Sequence, residues 1–198
     1  MSRPIAVLLL ALAPVLLAAD AERKEPKRVE IPQFVETGVV GITFVSPETT
    51  QAVAGKDAAT LLDRRSAFPN IALHLCNKDG TEQVSLVNQP GDPYLGFSLA
   101  VVNAGCGGGA ASPRRLAKVK RIKSRRGIYL GMTRRELAGT LGPNFTEAQV
   151  KDYTAIRYGA KDIRQYEFLK AFGRMAYTAE YRLRDGKVFS FRFGFENP

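Results

Sequence analysis

The stretch from Arg125 to Asn144, RRGIYLGMTRRELAGTLGPN, decides how the chain is read, because several independent local signals in it agree. It reads as strand, tight turn, capped helix and stop. Gly127 and Gly131 bracket the apolar run Ile128, Tyr129 and Leu130, and the second glycine supplies the permissive backbone for the swing into a helix. Thr133 is placed as the cap. Its hydroxyl is expected to accept from the Glu136 N–H while the Glu136 carboxylate reaches back to the Thr133 N–H, with Met132 stapling onto Leu137. Leu137 and Leu141, four apart, form one apolar edge, and Gly142 followed by Pro143 ends the helix. No nucleophile stands beside a base here, so the stretch speaks of architecture.

C-terminal to it, Asp152–Tyr158 and Tyr166–Leu169 are expected strands. The final pair is clearer. Met175, Tyr177, Ala179, Tyr181 and Leu183 alternate on one strand and Phe189, Phe191, Phe193 and Phe195 on the next, so all nine are assigned to one buried face. A two-residue Asp185-Gly186 turn would set Phe189 opposite Arg182. A three-residue loop, Arg184-Asp185-Gly186, sets Tyr181 against Phe189 instead, and register therefore predicts the longer loop.

The pattern G-I-Y-L-G-M-T-R-R-E-L-A-G-T-L-G, leading into antiparallel strands, resembles the helix-entry motif of bacterial envelope domains of the SmpA/OmlA (BamE-like) type, which β-lactamase inhibitory proteins also resemble. The likeness covers residues 127–198, the last third of the chain. It implies an α+β fold, an antiparallel sheet with short helices packed on one face, and a module used for protein or lipid contact. Fold alone does not assign a role. With no cysteine before Cys76, the resemblance carries no lipid anchor.

Upstream, residues 113–126 form a basic linker or edge strand. Arg114, Arg115, Lys118, Lys120, Arg121, Lys123, Arg125 and Arg126 place eight cations in thirteen residues with no acid between them. Lys and Arg total 29 against 19 Asp and Glu in 198 residues, a formal +10, so this run holds most of the surplus. A surplus of that kind bears on anionic partners rather than on fold. Two readings stand side by side: a solvated stretch whose lysines discourage edge pairing, and a contact for polyanions.

Residues 34–112 read as a β-rich N-terminal part. Phe34–Val45 is a strand or bent hairpin; Ser46 caps a helix with Pro47 in its first turn; Ala58–Arg65 continues helically. Asn70–Asn77 is a strand with Ile71, Leu73 and Leu75 on one face and Ala72, His74 and Cys76 on the other, turned by Asp79-Gly80 into Val84–Val87. Asn88–Pro93 is a loop, Tyr94–Asn103 a further strand, and Gly105–Ser112 a glycine-rich link. Helix, strand, D-G turn, strand recurs after Thr133, but residue identity between the two stretches is too low to assign a duplication.

The N-terminus reads as an export signal. Arg3 supplies the positive region, Ile5–Leu17 the apolar core and Ala18 to Ala21 small-residue cleavage sites, which assigns 1–21 to a signal peptide and 22–33 to a charged leader. The apolar run is short for about 30 Å of hydrocarbon and is broken by Pro14, so no transmembrane helix is expected in the mature chain. An exported chain with two cysteines predicts a Cys76–Cys106 disulfide.

Catalytic signals are weak. Gly96-Phe97-Ser98-Leu99-Ala100 approaches a nucleophile elbow but ends in Ala and lies in a strand pattern. The single histidine, His74, rules out a multi-histidine metal site. Gly107–Gly109 lacks the lysine and hydroxyl of a phosphate loop. The expected reading is a periplasmic, non-catalytic envelope protein without cofactor or metal, binding a protein or an anionic lipid or polysaccharide rather than genomic nucleic acid. The alternative is an inhibitor of a secreted or periplasmic enzyme.

Overall fold

The computed structural model describes residues 29–44, 46–56, 71–88, 97–107 and 113–196. The signal peptide, most of the charged leader, the helix at 58–65, most of the loop at 88–93 and most of the glycine-rich link lie outside those residues. In chain order the elements are β1 (Gly38–Val39), β2 (Ile42–Thr43), α1 (Pro47–Ala54), β3 (Ile71–Cys76), β4 (Glu82–Asn88), β5 (Leu99–Ala104), β6 (Arg114–Arg115), α2 (Arg134–Leu141), β7 (Thr146–Val150), β8 (Tyr153–Ala160), α3 (Glu167–Ala171), β9 (Ala176–Arg184) and β10 (Lys187–Glu196). β1 and β2 form a small hairpin. The other eight strands make one sheet in the order β6-β3-β4-β5-β10-β9-β8-β7. The fold is sheet-rich α+β, and the sheet is mixed rather than wholly antiparallel, because β6 runs parallel to β3.

The capped helix forms as its residues dictate. Glu136 N–H donates to Thr133 Oγ1 at 3.3 Å, Thr133 N–H donates to Glu136 Oε2 at 2.7 Å, and Leu137 and Leu141 are buried. Ser46 caps α1 in the same manner, its Oγ accepting from the Thr49 N–H. The two helices are both eight residues long. Each stops at a glycine of nearly identical conformation, Gly55 at φ 87°, ψ 168° and Gly142 at φ 88°, ψ 167°. The antiparallel run β3-β4-β5 follows α1 and the four-stranded run β7-β8-β9-β10 follows α2, and their last strands pair antiparallel at the sheet centre, with Phe191 opposite Val102 and Phe193 opposite Ala100. At that seam Gly194 lets the halves close, since a Cβ there would come within 2.3 Å of the Ser98 carbonyl oxygen.

One face of the sheet carries the core. Leu73, Leu75, Val84, Leu86, Ala100, Val102, Phe191, Phe193, Tyr181 and Tyr177 pack there against Phe44, Ile122, Ile128, Leu137 and Leu141. Phe44 stands 5.5 Å from Phe193 between ring centroids, and Tyr177 5.4 Å from Phe195.

Several expectations are corrected. The β9–β10 turn has two residues, not three: Arg184 pairs with Lys187, and Asp185 and Gly186 adopt φ of 50° and 73°, the left-handed pair of a tight hairpin. The extra residue is placed in β10 instead. A bulge between Val188 and Ser190 advances the register so that Phe191, not Phe189, opposes Tyr181. Phe189 leaves the core face and sits 6.0 Å from Tyr153 on the other side. Met175 lies outside β9 and is 49% exposed. Residues 166–169 belong to a helix turn, not a strand, with Phe168 and Leu169 buried together at adjacent positions. Ile128–Leu130 forms no ladder; Ile128 O accepts from Ser124 N–H, and the following turn docks on β10, with Gly131 N–H donating to Val188 O and Val188 N–H to Met132 O.

Candidate anion-binding groove

The basic run is neither a loose link nor a long strand. Only Arg114 and Arg115 are paired in the sheet, beside Leu75 and Cys76. From Leu116 onward the backbone is held by neighbours on both sides. Leu116 N–H donates to Cys76 O at 2.8 Å, Lys78 N–H to Val119 O at 2.7 Å, Val40 N–H to Lys123 O and Arg125 N–H to Gly38 O, both at 2.9 Å. Asn77 Nδ2 adds a bond to Lys120 O.

Two buried carboxylates complete the clamp. Glu82 accepts from the Ile122 N–H, and Glu36, fully buried, accepts from Ser124 Oγ and from the Arg126 N–H. Burial pushes the Glu36 carboxyl above its ordinary value, while the hydrogen bonds from Ser124 and Arg126 and the charges of Arg126 and Arg125 pull it back. Ile122 and Ser124 are therefore held inward. Extended backbone alternates its side chains, so Arg121, Lys123 and Arg125 face solvent.

These cations line an open groove of about 900 Å³ between the run and the β1–β2 hairpin, whose lining comprises Gly38–Thr43 and residues 118–121 and 123–125. Lys118, Lys120, Arg121, Lys123 and Arg125 contribute five positive charges there, and among the described residues no acid lines it. Tyr129 braces two of them: the Arg121 guanidinium lies 4.6 Å and the Lys123 ammonium 5.6 Å from its ring centroid. Glu82 reaches Arg121 at 3.7 Å from beneath.

The remaining basic candidates sit elsewhere. Arg126 turns inward, its Nε and Nη2 donating to the Val35 and Pro32 carbonyls. Arg115 donates to Lys78 O, and a Cβ on Gly55 would meet the Arg114 guanidinium. Cys76 and Cys106 form the expected disulfide, with Cα atoms 5.9 Å apart. The groove's key supports, Glu36 and Glu82, carried no sequence signal, because an acid that becomes buried reads the same as a solvated one.

The residues weighed for catalysis do not meet. Ser98 shares the core-facing parity of Ala100 and Val102 and is fully buried, its hydroxyl without a hydrogen-bond partner. His74 stands on the opposite face, its Nδ1 2.8 Å from Ser85 Oγ on the neighbouring strand. Among the described residues no group of His, Cys, Asp and Glu could hold a metal ion, and no helix is long and apolar enough to cross a membrane.

The open sheet face carries a second charged cluster. Glu180 there receives Arg157 at 2.7 Å and Arg182 at 2.8 Å, with Arg192 at 3.8 Å. Burial raises the Glu180 carboxyl, but those arginines outweigh it and leave the group below its ordinary value. Comparison with family models, curated proteins and solved structures finds no match for this chain.

Proposed function

We propose that the protein is a non-catalytic, exported protein of the bacterial envelope that binds an anionic partner through the groove at Lys118–Arg125. The observation that carries this reading is the clamped backbone: buried Glu36 and Glu82 hold the run so that five cations line one concavity, with no acid in its lining among the described residues. A solvated link would need no such buried carboxylates, whose desolvation opposes folding unless hydrogen bonds offset it. The export-type N-terminus and the disulfide agree with an oxidising compartment. The resemblance of residues 127–198 to SmpA/OmlA domains points to the same setting.

Each cation near an anionic surface contributes on the order of 1 kcal/mol. Wild-type protein is therefore expected to bind at least one of two probes, phosphatidylglycerol vesicles or a soluble polyanion, with affinity that falls as salt rises. A variant with Lys118, Lys120, Arg121 and Lys123 changed to Gln should lose about 4 kcal/mol and bind roughly a thousandfold more weakly at low salt. Equal binding by both proteins, or binding indifferent to salt, overturns the reading.

A specific observation favours the inhibitor reading as a second. Tyr153 and Phe189 meet edge to face on the open side of the sheet, with Arg182 and Arg184 stacked over them, a mixed aromatic and arginine surface of the composition that protein interfaces favour.

A further inference from the structure

We infer that the groove is shaped for an elongated phosphodiester chain without stacking bases, a polyol phosphate polymer, rather than for a compact anion or a flat bilayer. The inference rests on the anion-binding reading above and names the ligand class.

The arrangement of donors is the first argument. A site for one compact phosphate gathers several N–H groups around a point. In this groove the backbone N–H groups of Ile122, Ser124 and Arg125 are already used, on Glu82, on Ile128 O and on Gly38 O. The charged groups that this stretch presents to the groove are side-chain cations, spread along the chain from Lys118 to Arg125. Arg121, Lys123 and Arg125 recur at every second residue and are exposed, so their attachment points lie at most roughly 7 Å apart, a spacing that the P–O–C–C–C–O–P repeat of a glycerol phosphodiester can match.

The walls supply the second argument. The cations line a concavity bounded by the β1–β2 hairpin, a shape that admits a chain lying along it and that a planar headgroup surface fits poorly.

Tyr129 supplies the third. Single-stranded nucleic acid is held largely by bases stacked on aromatic rings. Tyr129 is the aromatic residue associated with these cations, and Arg121 and Lys123 already pack over its ring. Among the described residues the groove therefore offers charge and no free stacking platform, which disfavours nucleic acid against a polymer that has only phosphates to present.

The test measures binding of full-length mature protein to poly(glycerol phosphate), glycerol phosphate monomer, oligothymidylate and phosphatidylglycerol vesicles over a series of salt concentrations. A flexible chain engaging five cations should give a slope of log K against log salt of about −3.5, at roughly −0.7 per phosphate contact. Polymer should bind far more tightly than monomer. Arg121→Gln with Lys123→Gln should reduce the slope to about −2. A second pair, Lys118→Gln with Lys120→Gln, should do the same if the chain spans the groove. Unchanged thermal melting of both pairs shows that the fold is retained.

Equal affinity for monomer and polymer, with a slope near −0.7, leaves an anion site but overturns the chain. Oligothymidylate binding as tightly as poly(glycerol phosphate), or binding to vesicles alone, also overturns it while sparing the broader reading. Failure of all four probes removes both.

Discussion

At the residue scale, reciprocal hydrogen bonds make single side chains matter more than their exposure suggests. Thr133 and Glu136 satisfy each other's backbone N–H at the start of α2, and Thr133 Oγ1 also lies 2.7 Å from Glu136 Oε2. Thr133→Ala is expected to destabilise the protein by about 1 kcal/mol, read as a lower urea midpoint with an unchanged m-value. The pH dependence follows from the direction of the Glu136 shift. Hydrogen bonds from the Thr133 N–H and hydroxyl hold this carboxyl below its ordinary value, so its contribution is present above the unfolded-state value and is lost as pH falls through the folded one. The difference between wild type and variant should therefore shrink on acidification; a difference that grows would contradict the capping box. Glu36 behaves in the opposite sense. Burial raises it, so the folded state takes up its proton first and this group's contribution declines as pH rises through that window.

At the element scale, the β9–β10 hairpin satisfies two demands at once. The aromatic faces must coincide, which asks for one extra residue, and the turn Asp185-Gly186 already has the ideal two-residue chemistry. The residue is therefore accommodated as a bulge at Phe189, where tertiary contacts reward it. N-terminal to Ser190 the flank of β10 is not covered by β5, and Val188 bonds instead to Gly131 and Met132 of the helix entry. This arrangement separates two phenylalanines that look alike in sequence. Phe191→Ala should cost about 3–5 kcal/mol, since Phe191 is 1% exposed and stacked on Tyr181. Phe189→Ala, on the half-buried outer side, should cost less than about 1.5 kcal/mol. Urea unfolding of the two variants in parallel decides this, and equal costs would argue for the register with Phe189 in the core.

At the scale of the whole molecule, the halves are joined by the β5–β10 seam and by the basic run. The disulfide fastens the end of β3 to the segment after β5 and so closes a loop around β4, over a sequence separation of 30. Closure of that length stabilises by about 3–4 kcal/mol on the chain-entropy model. Intact mass after alkylation without reductant should show no modified thiol, and reduction should lower the denaturation midpoint by a corresponding amount. Two alkylated cysteines in unreduced material would show that the strands of the first half hold without the bond.

Local chemistry was readable directly from the chain. The caps at Ser46 and Thr133, the stop at Gly142, the parity of Leu73 and Leu75, and the pairing of the two cysteines each depend on neighbours a few residues away or on counting. Register and ordering were decided elsewhere. The bulge at Phe189 depends on what lies beside β10, residues 166–169 coil because both Phe168 and Leu169 find the core, and the alternation of the basic run is imposed by Glu36 and Glu82 from 40 to 90 residues away. A buried acid has the same letter as a solvated one, and only the burial around it turns Glu36 into a clamp. The groove was thus half legible: its charges stood in the sequence, while their orientation came from long-range hydrogen bonds that no local pattern encodes.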